Sequence, residues 1–141
     1  KMKDLFSQDQ LDQSQKFQIE TMETILLENT SQGFVPKKLP KLAQSFPVFS
    51  IHSTDLNKDG HLDLILGGNQ NKSRIRIGRI DAGLGLVLLG NGKGDFSPAL
   101  PSQTGIAIRG DIRSILEVKS GESHYLIFGI NQEPVKTFIL K

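Results

Sequence analysis

The chain has 141 residues, 37% of them hydrophobic, which is enough for one packed domain and too apolar for a disordered tail. Seventeen Lys and Arg against 15 Asp and Glu leave a net charge of +2, too small for a global field that would gather nucleic acid or an anionic membrane. With no cysteine there is no disulfide framework, thiolate zinc site or Cys nucleophile, and no apolar run approaches the ~18 to 20 residues that span a bilayer.

The opening "KMKDLFSQDQ" lacks an apolar signal core and reads as the start of a mature piece of something longer. Ser7 followed by Gln10 fits a capping box and predicts a short N-terminal helix over residues 7–15. "KFQIETMETILLEN" then predicts one long strand, and beyond it short blocks of Val, Ile, Leu and Phe lie between Gly, Pro and Asn, the composition of strands and turns.

The chain also repeats itself. "ILLENTSQGFVPKKLP" matches "LVLLGNGKGDFSPALP" with Leu27 on Leu89, Asn29 on Asn91, Phe34 on Phe96 and Pro36 on Pro98, an offset of 62 in each case. The same offset carries "LILGGNQ" onto "LIFGINQ", whereas Ile51 pairs with Ile115 at 64, so the second copy has lost two residues between these strands. Four short antiparallel strands per unit is the pattern of a propeller blade, and the excess length falls in "QNKSRIRIGRIDAG". The expected fold is mainly β, with antiparallel four-stranded blades of an incomplete β-propeller and one short N-terminal helix. Residues 1–45 would hold the helix and the outer strands of a partial blade, 46–105 a full blade, and 106–141 a further partial blade, together one domain.

The shortened place in the second copy corresponds in the first to an acidic turn, "DLNKDGHLD". Asp55, Asn57, Asp59 and Asp63 stand at positions 1, 3, 5 and 9, with Gly60 at position 6. Calcium takes six to eight hard oxygen ligands, and alternate residues of a tightly wound loop can aim side-chain oxygens at one centre while the His61 carbonyl joins them. Without a cation, two carboxylates about 4 Å apart repel by up to ~4 kcal/mol at an effective dielectric of 20. An EF-hand loop needs an acid at position 12, but Leu66 stands there and "LDLIL" continues as a strand, so the loop belongs to a β-hairpin. Asp-Gly also serves as a plain turn former. The equivalent turn "LEVKSGESHY" lacks the alternation, and no second site is expected there.

The stretches "VFSIHSTDLNKDGHLDLILGGN", "GLVLLGNGKGDFSPALP" and "ILLENTSQGFVPKKLP" resemble the FG-GAP/VCBS repeats of integrin α-subunit propellers and of many exported bacterial proteins. The resemblance is strongest to the C-terminal part of long repeat proteins of that kind. It implies a calcium-binding hairpin, carried residue by residue onto Asp55, Asn57, Asp59, Asp63 and the His61 carbonyl. The chain departs from the pattern in "NTSQGF" and in the last copy, which lacks the metal loop.

Other stretches carry weaker signals. "GNGKGDF" has no Ser or Thr after Lys93 and no helix behind it, so it reads as a hairpin turn and not a phosphate loop. In "KSRIRIGR", Lys72, Arg74, Arg76 and Arg79 would line one face of a strand, either as a solvated row or as an anion site. No aromatic residue interleaves them, which speaks against stacking on nucleic-acid bases. His52, His61 and His124 share no ligand or catalytic spacing, and no Gly-x-Ser-x-Gly elbow occurs. The expectation is a non-catalytic, calcium-stabilised repeat module of a secreted, periplasmic or cell-surface protein, binding a protein or glycan ligand and able to form a homodimer through exposed blade edges. Two alternatives are a polyanion-binding module using the Arg74/Arg76 strand, and part of a propeller enzyme whose catalytic residues lie elsewhere.

Overall fold

Short runs of alternating β-branched and leucine residues, cut by glycine and proline, form nine strands in a computed structural model that describes every residue except Arg74 and Lys141. The strands are β1 (Ile25–Thr30), β2 (Gly33–Lys38), β3 (Val48–Thr54), β4 (Asp63–Gly68), β5 (Leu86–Gly90), β6 (Phe96–Ala99), β7 (Ile112–Ser120), β8 (Ser123–Ile130) and β9 (Lys136–Leu140). They make three antiparallel sheets: β1-β2 (sheet 1), β3-β4-β5-β6 (sheet 2) and β7-β8-β9 (sheet 3). The sheets do not close into a ring. Two short helices, α1 (Gln8–Asp12) and α2 (Pro101–Thr104), complete the regular structure.

Helix α1 starts at the expected cap, where Ser7 accepts from the Gln10 backbone and Gln10 reaches back to Ser7. It stops at Asp12, three residues short of the predicted end, because nothing packs on it and none of its residues is buried. The long strand predicted from Lys16 shrinks to β1. Phe17, Ile19 and Met22 are exposed and no neighbouring strand takes up their backbone groups.

Sheet 2 lies between the other two. Ile65, Val87 and Ala99 on one face pack with Ile112, Leu126, Phe128 and Ile130 of sheet 3, joined by Ile106 and Ile108 from the connecting segment. On the other face Leu66 and Leu88 pack with Leu39, Ala43 and Phe46, from the turn that follows sheet 1, and with Leu26.

The hairpins β3-β4 and β7-β8 share a register. Thr54 pairs with Asp63 and Val118 with Tyr125, and both first strands bulge at the same place, between Val48 and Ser50 and between Ile112 and Ser114. In sheet 3 the strands then run two residues further and close on a tight turn at Gly121 and Glu122. Seventeen residues (69–85) separate β4 from β5 but five (131–135) separate β8 from β9, so the extra length lies where the sequence placed it.

Two further expectations need correction. Pro36 pairs with Leu27, but Pro98 pairs with Leu88 and not Leu89, so β1 is slipped by one residue against the sequence alignment. The cause is the shorter β1-β2 turn, and a slip of one residue exchanges the two faces of a strand. The arginine row is not a strand either: Ile75, Arg76 and Ile77 form a turn, closed by the bridge between Gln70 and Ile80. Gly78 has a positive φ there, which suits a turn and not a ladder. Arg74 lies outside the described residues.

Candidate metal centre

The acidic loop spans the space between the paired residues Thr54 and Asp63, with its ends fixed by the β3-β4 ladder. Gly60 takes φ +85° and Lys58 φ +62°, which curl the chain. Asp55 accepts the Asp59 amide at 3.1 Å on Oδ1 and the Gly60 amide at 2.9 Å on Oδ2. Asn57 accepts the Asp59 amide at 3.1 Å and donates through Nδ2 to Asp59 Oδ2 at 2.8 Å. The His61 amide donates to Asp59 Oδ1 at 2.8 Å. The Asn57 side chain and then the His61 amide hold the Asp59 carboxyl below its ordinary range.

Asp63 behaves differently. It has no solvent exposure, and its two oxygens accept the Leu56 amide at 2.9 Å and the Gly90 amide at 2.9 Å. The Gly90 bond clasps the acidic loop to the end of β5, where the β5-β6 turn begins. That turn presses closely: a Cβ at Gly90 would overlap the Leu62 carbonyl oxygen, and one at Gly92 would meet the His61 ring at 2.5 Å. The glycines of "GNGKG" therefore admit the neighbouring loop as well as bending their own.

Among the described residues no three His, Asp or Glu side chains converge as ligands of one metal ion. Asp55, Asn57, Asp59 and Asp63 are instead knit to loop amides. The donor chemistry nevertheless fits a hard cation: three carboxylates and an amide oxygen follow one another on a curled loop, and every carboxylate oxygen keeps a second lone pair. A ligating Asn57 would offer Oδ1 and release its bond to Asp59. In the β7-β8 hairpin the places of Asp55 and Asp63 fall to Lys119 and Tyr125, so that turn has no such donor set.

Lys72 and Arg76 are exposed, while Arg79 lines a cavity of about 420 Å³ with Asn71, Asp81, Arg109 and Glu133.

Two constellations were not visible in the sequence. Glu117 is bracketed by two imidazoles, with His52 Nε2 3.2 Å from Oε2 and His124 Nδ1 3.2 Å from Oε1. The contact crosses from sheet 2 to sheet 3. Bonds from His52 first, then Thr54 and His124, hold the Glu117 carboxyl below its ordinary range. The second ties the 69–85 segment to sheet 3. Buried Asn69 donates to the carbonyls of Gly83 at 2.7 Å and Gly110 at 3.0 Å and accepts the Gly83 amide at 2.8 Å. Beside it Asp111 accepts the Asn71 amide at 2.8 Å, and Arg113 reaches Gln70 at 3.0 Å while its guanidinium sits 4.0 Å from the Phe49 ring centre. Comparison of the chain with family models, with curated proteins and with solved structures finds no match.

Proposed function

We propose that this chain is a non-catalytic repeat module of an exported protein, built of β-propeller blades, in which the acidic hairpin holds Ca²⁺. The observation that carries the reading is the Asp55–Asp63 loop: three carboxylates and an amide oxygen curled at Gly60, on a hairpin whose strand register recurs in the next sheet. The recurring bulge and the stacking of successive antiparallel sheets support the blade architecture. Bound calcium supplies charge neutralisation and oxygen coordination. Asp55, Asp59 and Asp63 would hold it, Asn57 and the His61 carbonyl would complete the set, and Asp63 would also anchor the loop to Gly90. The ligand of the module would be a protein or a glycan, met in a calcium-rich secreted, periplasmic or cell-surface setting, since extracellular modules bind calcium at about 10⁻⁴ to 10⁻³ M.

A thermal melt in excess EGTA and then in millimolar CaCl₂ tests the proposal. Linkage gives ~1.4 to 2.7 kcal/mol of added stability at about 10 to 100 times the dissociation constant. Asp59→Ala should abolish the rise, and Glu117→Gln should leave it intact. An equal calcium response in wild type and Asp59→Ala would remove the metal from the loop.

A further inference from the structure

Sheet 2 is packed on both faces along β4 and β5, with Ile51 of β3 left exposed on the side of sheet 1, whereas sheets 1 and 3 are each covered on one. Pairing register shows what the two uncovered faces correspond to. Ile65 sits opposite His52 and is fully buried beneath sheet 3; Ile127 holds the same place opposite Leu116, on the outer face of sheet 3. Leu88 sits opposite Pro98 and is fully buried beneath sheet 1 and its following turn; Leu27 holds the same place opposite Pro36, on the outer face of sheet 1. Each outer face thus repeats a surface that this chain already buries under a sheet of its own, one against the following sheet and the other against the preceding one.

We infer that these two faces are the halves of one interface: copies of this chain associate head to tail, with the outer face of sheet 1 of one copy stacked on the outer face of sheet 3 of the next. Leu27 is 54% exposed and Leu116 58%, large apolar side chains with no layer above them. The outer face of sheet 3, from Ser114 to Ile139, carries no charged side chain. On sheet 1 the one outward charge, Lys38, is met by Glu23 at 3.1 Å. Both surfaces can therefore be dried without stranding a charge. Stacking is by faces and not by the outer edges of β2 and β6, where Pro36 and Pro98 each remove a ladder donor. Because the two halves differ, the contact is heterologous and propagates beyond two copies unless rotation closes a ring.

Sedimentation of the full chain in EGTA, where the calcium loop plays no part, tests this. The mean mass of the wild type should rise above the 15.6 kDa of one chain as concentration increases. Leu27→Lys blocks one half and Leu116→Lys the other, so each variant alone should remain monomeric. Mixed in equal amounts they should give a species of two chains and nothing larger, since each supplies the half the other lacks. A wild type that stays monomeric at about 100 to 1000 µM, where a millimolar-range contact already shows, would overturn the inference. So would single variants that still associate, or a mixture that does not. Circular dichroism confirms folding, and Leu27→Gln with Leu116→Gln repeats the test if a lysine disturbs it.

Discussion

The carboxylate of Asp63 takes one backbone amide on each oxygen, from Leu56 and Gly90, and has no solvent exposure. Asp63→Asn keeps the shape but turns an NH₂ toward one of those donors. Two charge-assisted bonds are weakened and one buried amide is left unpaired, so the variant should lose about 2 to 4 kcal/mol in urea unfolding with EGTA present. Unchanged stability would mean that the loop is held by something else. Glu117 makes a prediction of the opposite kind, in pH. Its folded-state pKa lies below the ordinary value, chiefly through His52, so the unfolded chain takes up its proton at higher pH than the folded one. Its contribution is fully present above the ordinary glutamate value of about 4.3 and is lost as pH falls through the lower folded value. Acid unfolding of Glu117→Gln should accordingly show a shallower loss of stability below about pH 5 than the wild type. Superimposable slopes would exclude the two imidazoles as the cause. The spacing of Asp55, Asn57, Asp59 and Asp63 was legible from the chain alone, because alternation within one loop is a local property. The meeting of His52, Glu117 and His124 was not, since it depends on which sheet faces stack on one another.

Strands and hairpins repeat the same lesson on a larger scale. Alternation and turn residues marked the sites of β3 to β8, and the offsets of 62 and 64 located both the two-residue loss and the long β4-β5 connection. The approach to β1 failed because "KFQIETM" has strand composition but no partner, and ladder bonds are made between segments. The arginine row failed for a related reason: its alternation matches a strand, but Gly78 and the Gln70 to Ile80 bridge impose a loop. Glycines at element ends separate two effects that the sequence cannot distinguish. Gly60 has φ +85° with open space around it, so Gly60→Ala should cost about 1 to 2 kcal/mol, the strain of a left-handed residue. Gly68 has no such φ, but its Cβ would overlap the carbonyl oxygen of Pro47, which is backbone and cannot rotate away. Gly68→Ala should therefore cost more, about 3 kcal/mol or above, with the β3-β4 register disturbed. Equal melting temperatures for the two variants would show that the close approach relaxes freely.

At the scale of the whole molecule the burial is uneven. Sheet 2 contributes Ile65, Leu66, Val87 and Leu88 to two separate apolar clusters, whereas sheet 1 adds to its cluster only the partly buried Leu26. The turn behind it supplies Leu39, Ala43 and Phe46, so the β1-β2 hairpin can lift away while that turn stays seated. Sub-global opening of this kind follows local burial and not the global stability of about 5 to 15 kcal/mol. Native-state hydrogen exchange should show amides of β1 and β2 opening at a lower free energy than those of β4 and β5. Leu88→Ala should lower the protection of sheets 1 and 2 together, since a leucine lost from a closed site costs about 3 to 5 kcal/mol and both sheets share it. If β1 and β2 exchange only with the rest of the chain, sheet 1 is an integral layer and its hairpin does not open separately. Head-to-tail stacking would then be visible in the same experiment, because covering the outer face of sheet 1 should slow exchange in β1 as concentration rises. Leu116→Lys removes the surface that would cover it, and in that variant exchange in β1 should not depend on concentration.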